Sequence, residues 1–120
     1  MKASLIIVVA LLAGCGSTPA QVVETGPRHD VESALPSRQA ANCIARNGQN
    51  LNSQYTAALT ELKEIDQYQV QVTAPQTSAG AIVVVRAVPA GAGSRLTFFM
   101  SPRMSETAVP EWIEKLRKGC

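Results

Sequence analysis

Ile82-Val83-Val84-Val85 is β-branched throughout, continues to Val88, and is followed by Pro89-Ala90-Gly91-Ala92-Gly93 and then Leu96-Thr97-Phe98-Phe99-Met100. β-Branched side chains are stiff at χ1 and pack well on a pleated surface, while glycines between two such runs suit a chain reversal. The pattern predicts an antiparallel hairpin, and a hairpin needs further strands or helices to bury its apolar face. Upstream, Tyr68, Val70 and Val72 alternate with Gln69, Gln71 and Thr73, which reads as a half-buried third strand, with a turn over Pro75 to Gly80.

Helical signals flank these strands. Pro36-Ser37 opens a helix in which Ser37 can cap free amides, Ala40, Cys43 and Ile44 share one face, and Gly48 can end the element. A last helix is expected from about Pro110 to Lys118, with Trp112, Leu116 and Cys120 on one i, i+4, i+8 stripe. Glu111 with Lys115, and Glu114 with Lys118, stand four apart in the favourable order, a solvated face rather than an acid/base pair. Between Leu51 and Ile65 two readings compete. Leu51, Tyr55, Ala58, Leu59, Leu62 and Ile65 repeat helically, yet Tyr55, Ala57 and Leu59 can also line a strand, and periodicity alone favours the helix.

The amino-terminal region reads as an address rather than a core. Lys2 precedes the apolar run Leu5 to Leu12, and Leu12-Ala13-Gly14-Cys15 follows at once. That tetrapeptide resembles the bacterial lipobox, which implies cleavage between Gly14 and Cys15 and lipid on the Cys15 thiol. Counted with Ala13 and its small neighbours, the apolar stretch is about nine to twelve residues, against roughly twenty needed to span a bilayer. One acyl chain binds a membrane only marginally, whereas the two or three carried by lipobox cysteines anchor a domain stably. Gly16 stands where lipoproteins kept in the inner membrane of enteric bacteria often carry Asp, which favours the outer membrane, with the domain facing the periplasm. Residues 1–14 are thus expected as signal peptide and 15–36 as a disordered tether rich in Ser, Thr, Pro, Gly and charge, with His29 a solvated linker residue. Residues 37–120 remain as one small domain.

Without Lys2, ten basic and nine acidic side chains remain, so no single-sign field exists to attract nucleic acid. Setting Cys15 aside leaves Cys43 and Cys120, on the inward faces of the first and last helices of that domain. Export would bring both into an oxidising compartment, where a bridge closing so long a loop stabilises by roughly 4 kcal/mol in the chain-entropy model. A buried unpaired cysteine, a bridge between molecules through Cys120, and a redox thiol are the alternatives. There is no Cys-x-x-Cys motif, and two separated cysteines with no histidine in the domain make a poor metal set.

Gly91-Ala92-Gly93-Ser94-Arg95 invites comparison with phosphate-binding loops, but it joins two expected strands and lacks both the following helix and the lysine of a nucleotide loop. No Gly-x-Ser-x-Gly elbow, His-Glu-x-x-His helix or cysteine-histidine set can be assembled. Neither an enzyme nor a cofactor or metal site is expected. Phe99 should face away from Leu96 and Met100 on its strand, making it a candidate contact residue unless another helix covers the second sheet face.

Asn42-Cys43-Ile44-Ala45-Arg46-Asn47, the two apolar strands around a Gly-rich turn, and Trp112 to Leu116 followed by Lys118-Gly119-Cys120 resemble small lipoproteins of β-proteobacteria. The resemblance implies an α+β fold with a cysteine bridge, tips Leu51 to Ile65 toward strand, and implies no activity. The expected architecture is an antiparallel sheet of three or four strands, with an N-terminal and a C-terminal helix on one face joined by Cys43 and Cys120. The expected function is a noncatalytic envelope module held to the membrane by lipid on Cys15 and presenting a surface to an envelope protein. The alternative is a small-ligand or glycan site between helix and sheet with Arg86 or Arg95 as the polar contact. A third reading, hydrolysis of envelope material, requires Glu61, Glu64 or Asp66 to cluster.

Overall fold

The computed structural model describes residues 18–52, 54–62, 67–74 and 80–120. The expected signal peptide, Gly14, Cys15, all but Gly80 of the turn expected over Pro75 to Gly80, and the acids Glu64 and Asp66 lie outside the described residues. In chain order the elements are α1 (Pro19–Thr25), β1 (Arg28–Ser33), α2 (Ser37–Gln49), β2 (Thr56–Leu62), β3 (Gln67–Ala74), β4 (Gly80–Ala90), β5 (Gly93–Met100) and α3 (Ala108–Arg117). The strands form one antiparallel sheet in the order β1-β5-β4-β3-β2.

The β4–β5 hairpin forms as expected, but its loop is only Gly91-Ala92: Pro89 and Ala90 extend β4, and Gly93 already pairs with Ala90. Gly91 has φ 60°, which a two-residue hairpin loop demands of its first central residue and which glycine adopts without a steric penalty. Strand alternation then sorts the side chains. Val83, Val85, Ala87, Leu96, Phe98 and Met100 point to one face and are buried there with Val70 and Val72 of β3.

Helices α2 and α3 cover that face, inserting Ala40, Ala41, Ile44, Val109 and Leu116, all buried. Cys43 is bonded to Cys120 across a separation of 77 residues, so the expected bridge is present, although α3 ends at Arg117 and Cys120 follows it rather than standing on its inward face. Asn47 reinforces it. Its Nδ2 donates to the carbonyls of Leu116 (2.6 Å) and Lys118 (2.9 Å), which the end of α3 would otherwise leave without helical partners. Tyr55 and Trp112 meet edge to face at 5.1 Å beside the core.

Several expectations are corrected. Pro36, not Ser37, is the N-cap residue of α2, without a side-chain cap, and Ser37 is already helical. Gly48 does not end that helix. It is buried in the last turn, where a Cβ would stand 2.8 Å from that of Ala57, so the glycine lets β2 approach. Glu114 pairs with Arg117 (3.5 Å) rather than Lys118, which has left the helix as its C-cap; Glu111 and Lys115 do pair, at 3.0 Å. Leu51, Asn52, Gln54 and Tyr55 lie outside helix and strand, and Thr56–Leu62 is the strand to which the family resemblance pointed.

The largest difference concerns the segment read as a tether. From Thr18 onward it belongs to the folded body, which therefore has five strands and a third helix among the described residues. Thr18 and Gln21 form a capping box (Thr18 Oγ1 accepts from the Gln21 amide at 3.2 Å) with Pro19 opening α1. A seven-residue helix is marginal in isolation; Val22, fully buried against Ala81, Val84 and Phe99, holds it on the second face of the sheet. β1 pairs with β5 through its whole length. At its end the Ser33 hydroxyl donates to the Cys120 carbonyl, tying the end of β1 to the bridged cysteine.

Candidate functional site

The second face of the sheet is the side that α2 and α3 leave open. Along β5 it presents Arg95, Thr97 and Phe99, along β4 Val84, Arg86 and Val88, and along β1 Arg28, Asp30 and Glu32, because these positions alternate with the core residues. The register sets Arg86 opposite Thr97, Val88 opposite Arg95 and Arg28 opposite Phe99. Phe99, Arg86 and Arg95, singled out separately in the sequence, therefore converge, and Arg28 joins them. Together with Gln67, Val88 and Thr97 they line a shallow concavity of about 220 Å³.

Phe99 is the floor of this site and not an exposed contact. It retains 8 % exposure because α1 lies over one side of it, so a helix does cover the second face at this point. Two guanidinium groups flank the ring, with Cζ of Arg86 5.6 Å and Cζ of Arg28 5.9 Å from its centroid, within cation–π range. Arg86 Nε also donates to Gln69 Oε1 at 3.0 Å.

Charge is distributed unevenly within the cluster. Arg28 pairs with Asp30 at 3.6 Å and Arg95 with Glu32 at 3.2 Å, whereas no carboxylate among the described residues stands within 4 Å of Arg86. The two ion pairs are exposed and contribute little each. The Thr97 hydroxyl donates to Asp30 Oδ1 at 2.7 Å. That bond, with the Arg28 and Arg95 charges adding to it and slight burial opposing, holds the Asp30 carboxyl below its usual value.

The sign of the linkage follows from that direction. A depressed folded-state pKa stabilises the protein above the unfolded value, about 4 for Asp, and this contribution is lost as pH falls through the folded value. Asp30→Asn should therefore lower the urea midpoint by a constant amount from pH 5 to 8, and the gap should close below about pH 4. A gap unchanged down to pH 2.5 would show that the carboxylate charge is not what matters.

Elsewhere, the centre of the layer between α2, α3 and the sheet is filled by Ile44, Leu116, Phe98 and their neighbours, and Arg86 and Arg95, the polar contacts expected for a ligand between helix and sheet, lie on the opposite face. Glu61 lies exposed on β2, and its clustering with Glu64 and Asp66 falls outside the described residues. His29 is exposed on β1 opposite Phe98. Among the described residues no group of three or more His, Cys, Asp or Glu side chains could hold a metal, and no helix is long and apolar enough to cross a membrane.

Arg28 is the site residue that sequence reading missed. Arg28-His29-Asp30-Val31-Glu32-Ser33 has no apolar periodicity, although the Thr18-Pro19-Ala20-Gln21 capping box marks the start of ordered structure just ahead of it. Comparison with protein-family models, with curated proteins and with solved structures finds no match. Fold and site together define the molecule as a disulfide-linked α+β domain with one sheet face covered by α2 and α3 and the other carrying α1 beside a cluster of arginines.

Proposed function

We propose that this chain is a membrane-anchored envelope lipoprotein, cleaved before Cys15 and lipidated there, whose noncatalytic domain offers the arginine-bearing sheet face to an envelope protein. The observation that carries this reading is the convergence of Arg28, Arg86 and Arg95 around Phe99, with Arg86 lacking any carboxylate partner among the described residues. An acidic segment of a partner would complete the pairing above the Phe99 floor, with half-buried Val88 as the apolar contact beside the charges. Because α1 already begins at Pro19, at most about 14 Å of extended chain separates Cys15 from the folded body. The partner is then met at the membrane surface, on the outer membrane's periplasmic side if Gly16 acts as a sorting residue.

A small-ligand or glycan reading has one observation in its favour: the same concavity could seat a carboxylate or sugar acid against Arg86. A photo-crosslinking residue at Val88, compared with one at Arg38 on α2, separates the readings in the producing bacterium. A discrete protein adduct from position 88 alone, at least tenfold weaker in Arg86→Glu, is expected. Equal labelling from both positions, or none, would count against a protein partner. The anchor is tested apart from this by intact mass of the membrane-extracted protein, which should begin at Cys15 with acyl chains and gain two alkylated thiols only after reduction.

A further inference from the structure

The sheet's two edges differ in chemistry. β1 carries Arg28, His29, Asp30 and Glu32, charged or ionisable side chains of the kind that discourage strand addition. β2, at the opposite edge, reads Thr-Ala-Ala-Leu-Thr-Glu-Leu, with no proline, no lysine and no bulge against β3. It also carries Leu59, the one large hydrophobic side chain exposed among the described residues, at 40 %. Beside Leu59, a shallow groove of about 450 Å³ runs between β2 and α2, lined by Asn42, Ala45, Arg46, Gln49 and Ala57.

We infer that two copies of the chain pair antiparallel through β2, related by a two-fold axis at Leu59, to form one continuous ten-stranded sheet. The midpoint of Thr56–Leu62 is Leu59, so the register that pairs all seven residues sets Leu59 opposite its own copy. The same register sets Ala57 opposite Glu61 of the second copy. Ala57, Leu59 and Glu61 lie on the sheet face that α2 covers, since they pair with Val72, Val70 and Tyr68. A two-fold axis perpendicular to the sheet keeps that face common to both copies, so each Glu61 carboxylate enters the other copy's groove beside Arg46. Arg46 has no carboxylate within 4 Å among the described residues of its own chain. The apolar centre, the hydrogen-bonding edge and the two charge pairs are thus complementary under one symmetry operation, as an isologous interface requires. The inference does not depend on the lipid anchor or on the arginine-bearing face.

The test uses the full membrane-extracted chain in detergent at fewer than one chain per micelle, by light scattering and by mild oxidation of single-cysteine variants with the Cys43–Cys120 bridge intact. A dimer is expected, and Leu59→Cys should form a covalent dimer well ahead of Glu111→Cys on α3. Arg46→Glu and Glu61→Arg should each weaken the dimer about tenfold, and the double variant should restore it to within about threefold. All three are surface changes whose folding can be checked by circular dichroism. A chain that stays monomeric while Leu59→Cys crosslinks no faster than the control overturns the inference. So does a dimer indifferent to the charge reversals.

Discussion

Phe98→Ala is expected to lower the unfolding free energy by about 3–5 kcal/mol, measured as a lower urea midpoint with little change in slope. Phe98 is fully buried at the centre of β5, opposite Val85 on one side and His29 on the other, among the residues that α2 and α3 press onto the sheet. Its loss removes the transfer free energy of the largest fully buried side chain and leaves a cavity between the sheet and a helical layer whose α2 is bridged to the segment after α3, which limits the collapse of that layer. Domains of this size hold only about 5–15 kcal/mol in total, so the variant should be partly unfolded under mild warming. Leu59→Ala, on the exposed edge, should change the isolated domain's stability by less than about 1 kcal/mol. A Phe98→Ala midpoint equal to that of Leu59→Ala would show that the core does not sit where the sheet register puts it.

Removing the bridge should cost nearly as much. Cys43→Ala with Cys120→Ala is expected to destabilise by about 2–5 kcal/mol, the range for native disulfides in small exported domains. The bond closes 77 residues of sequence, which contain β2, β3, β4, β5 and α3, so the unfolded chain loses a large fraction of its freedom. A folded-state effect adds to this, because Cys120 sits between the Asn47 side chain and the Ser33 hydroxyl. Without the bridge, β1 should become the first element to exchange its amides, since it loses its tie to Cys120 and is the strand at one sheet edge. Thermal unfolding with and without reductant, with hydrogen exchange resolved along the chain, measures both. Unchanged protection in β1 after reduction would place the stabilisation wholly in the unfolded state.

The residues of the arginine-bearing face show what a sequence can reveal about a site. Phe99, Arg86 and Arg95 could be placed on the outer side of the hairpin because side chains alternate along a strand whose inner residues are plainly apolar. That they meet follows from the hairpin register, itself set by the two-residue loop at Gly91-Ala92. Arg28 was invisible by the same logic. β1 has Val31 as its only apolar residue, and what makes it a strand is the row of backbone partners on β5 and the cross-strand polar pairs Arg95–Glu32 and Thr97–Asp30. Such interactions exist only once β5 is in place.

Read alone, then, the sequence determined the β4–β5 hairpin, strand β3, the two helices of the inner layer and the pairing of Cys43 with Cys120. Each of these has an apolar pattern or a covalent chemistry carried by its own residues. Tertiary structure alone decided the fate of residues 18 to 36, the helical place of Gly48 against Ala57, and the cover over Phe99. Those outcomes rest on surfaces that distant segments build. An edge strand of charged residues and a seven-residue helix have too little local free energy to declare themselves, and they order only where a completed sheet offers them hydrogen bonds and a buried seat for Val22.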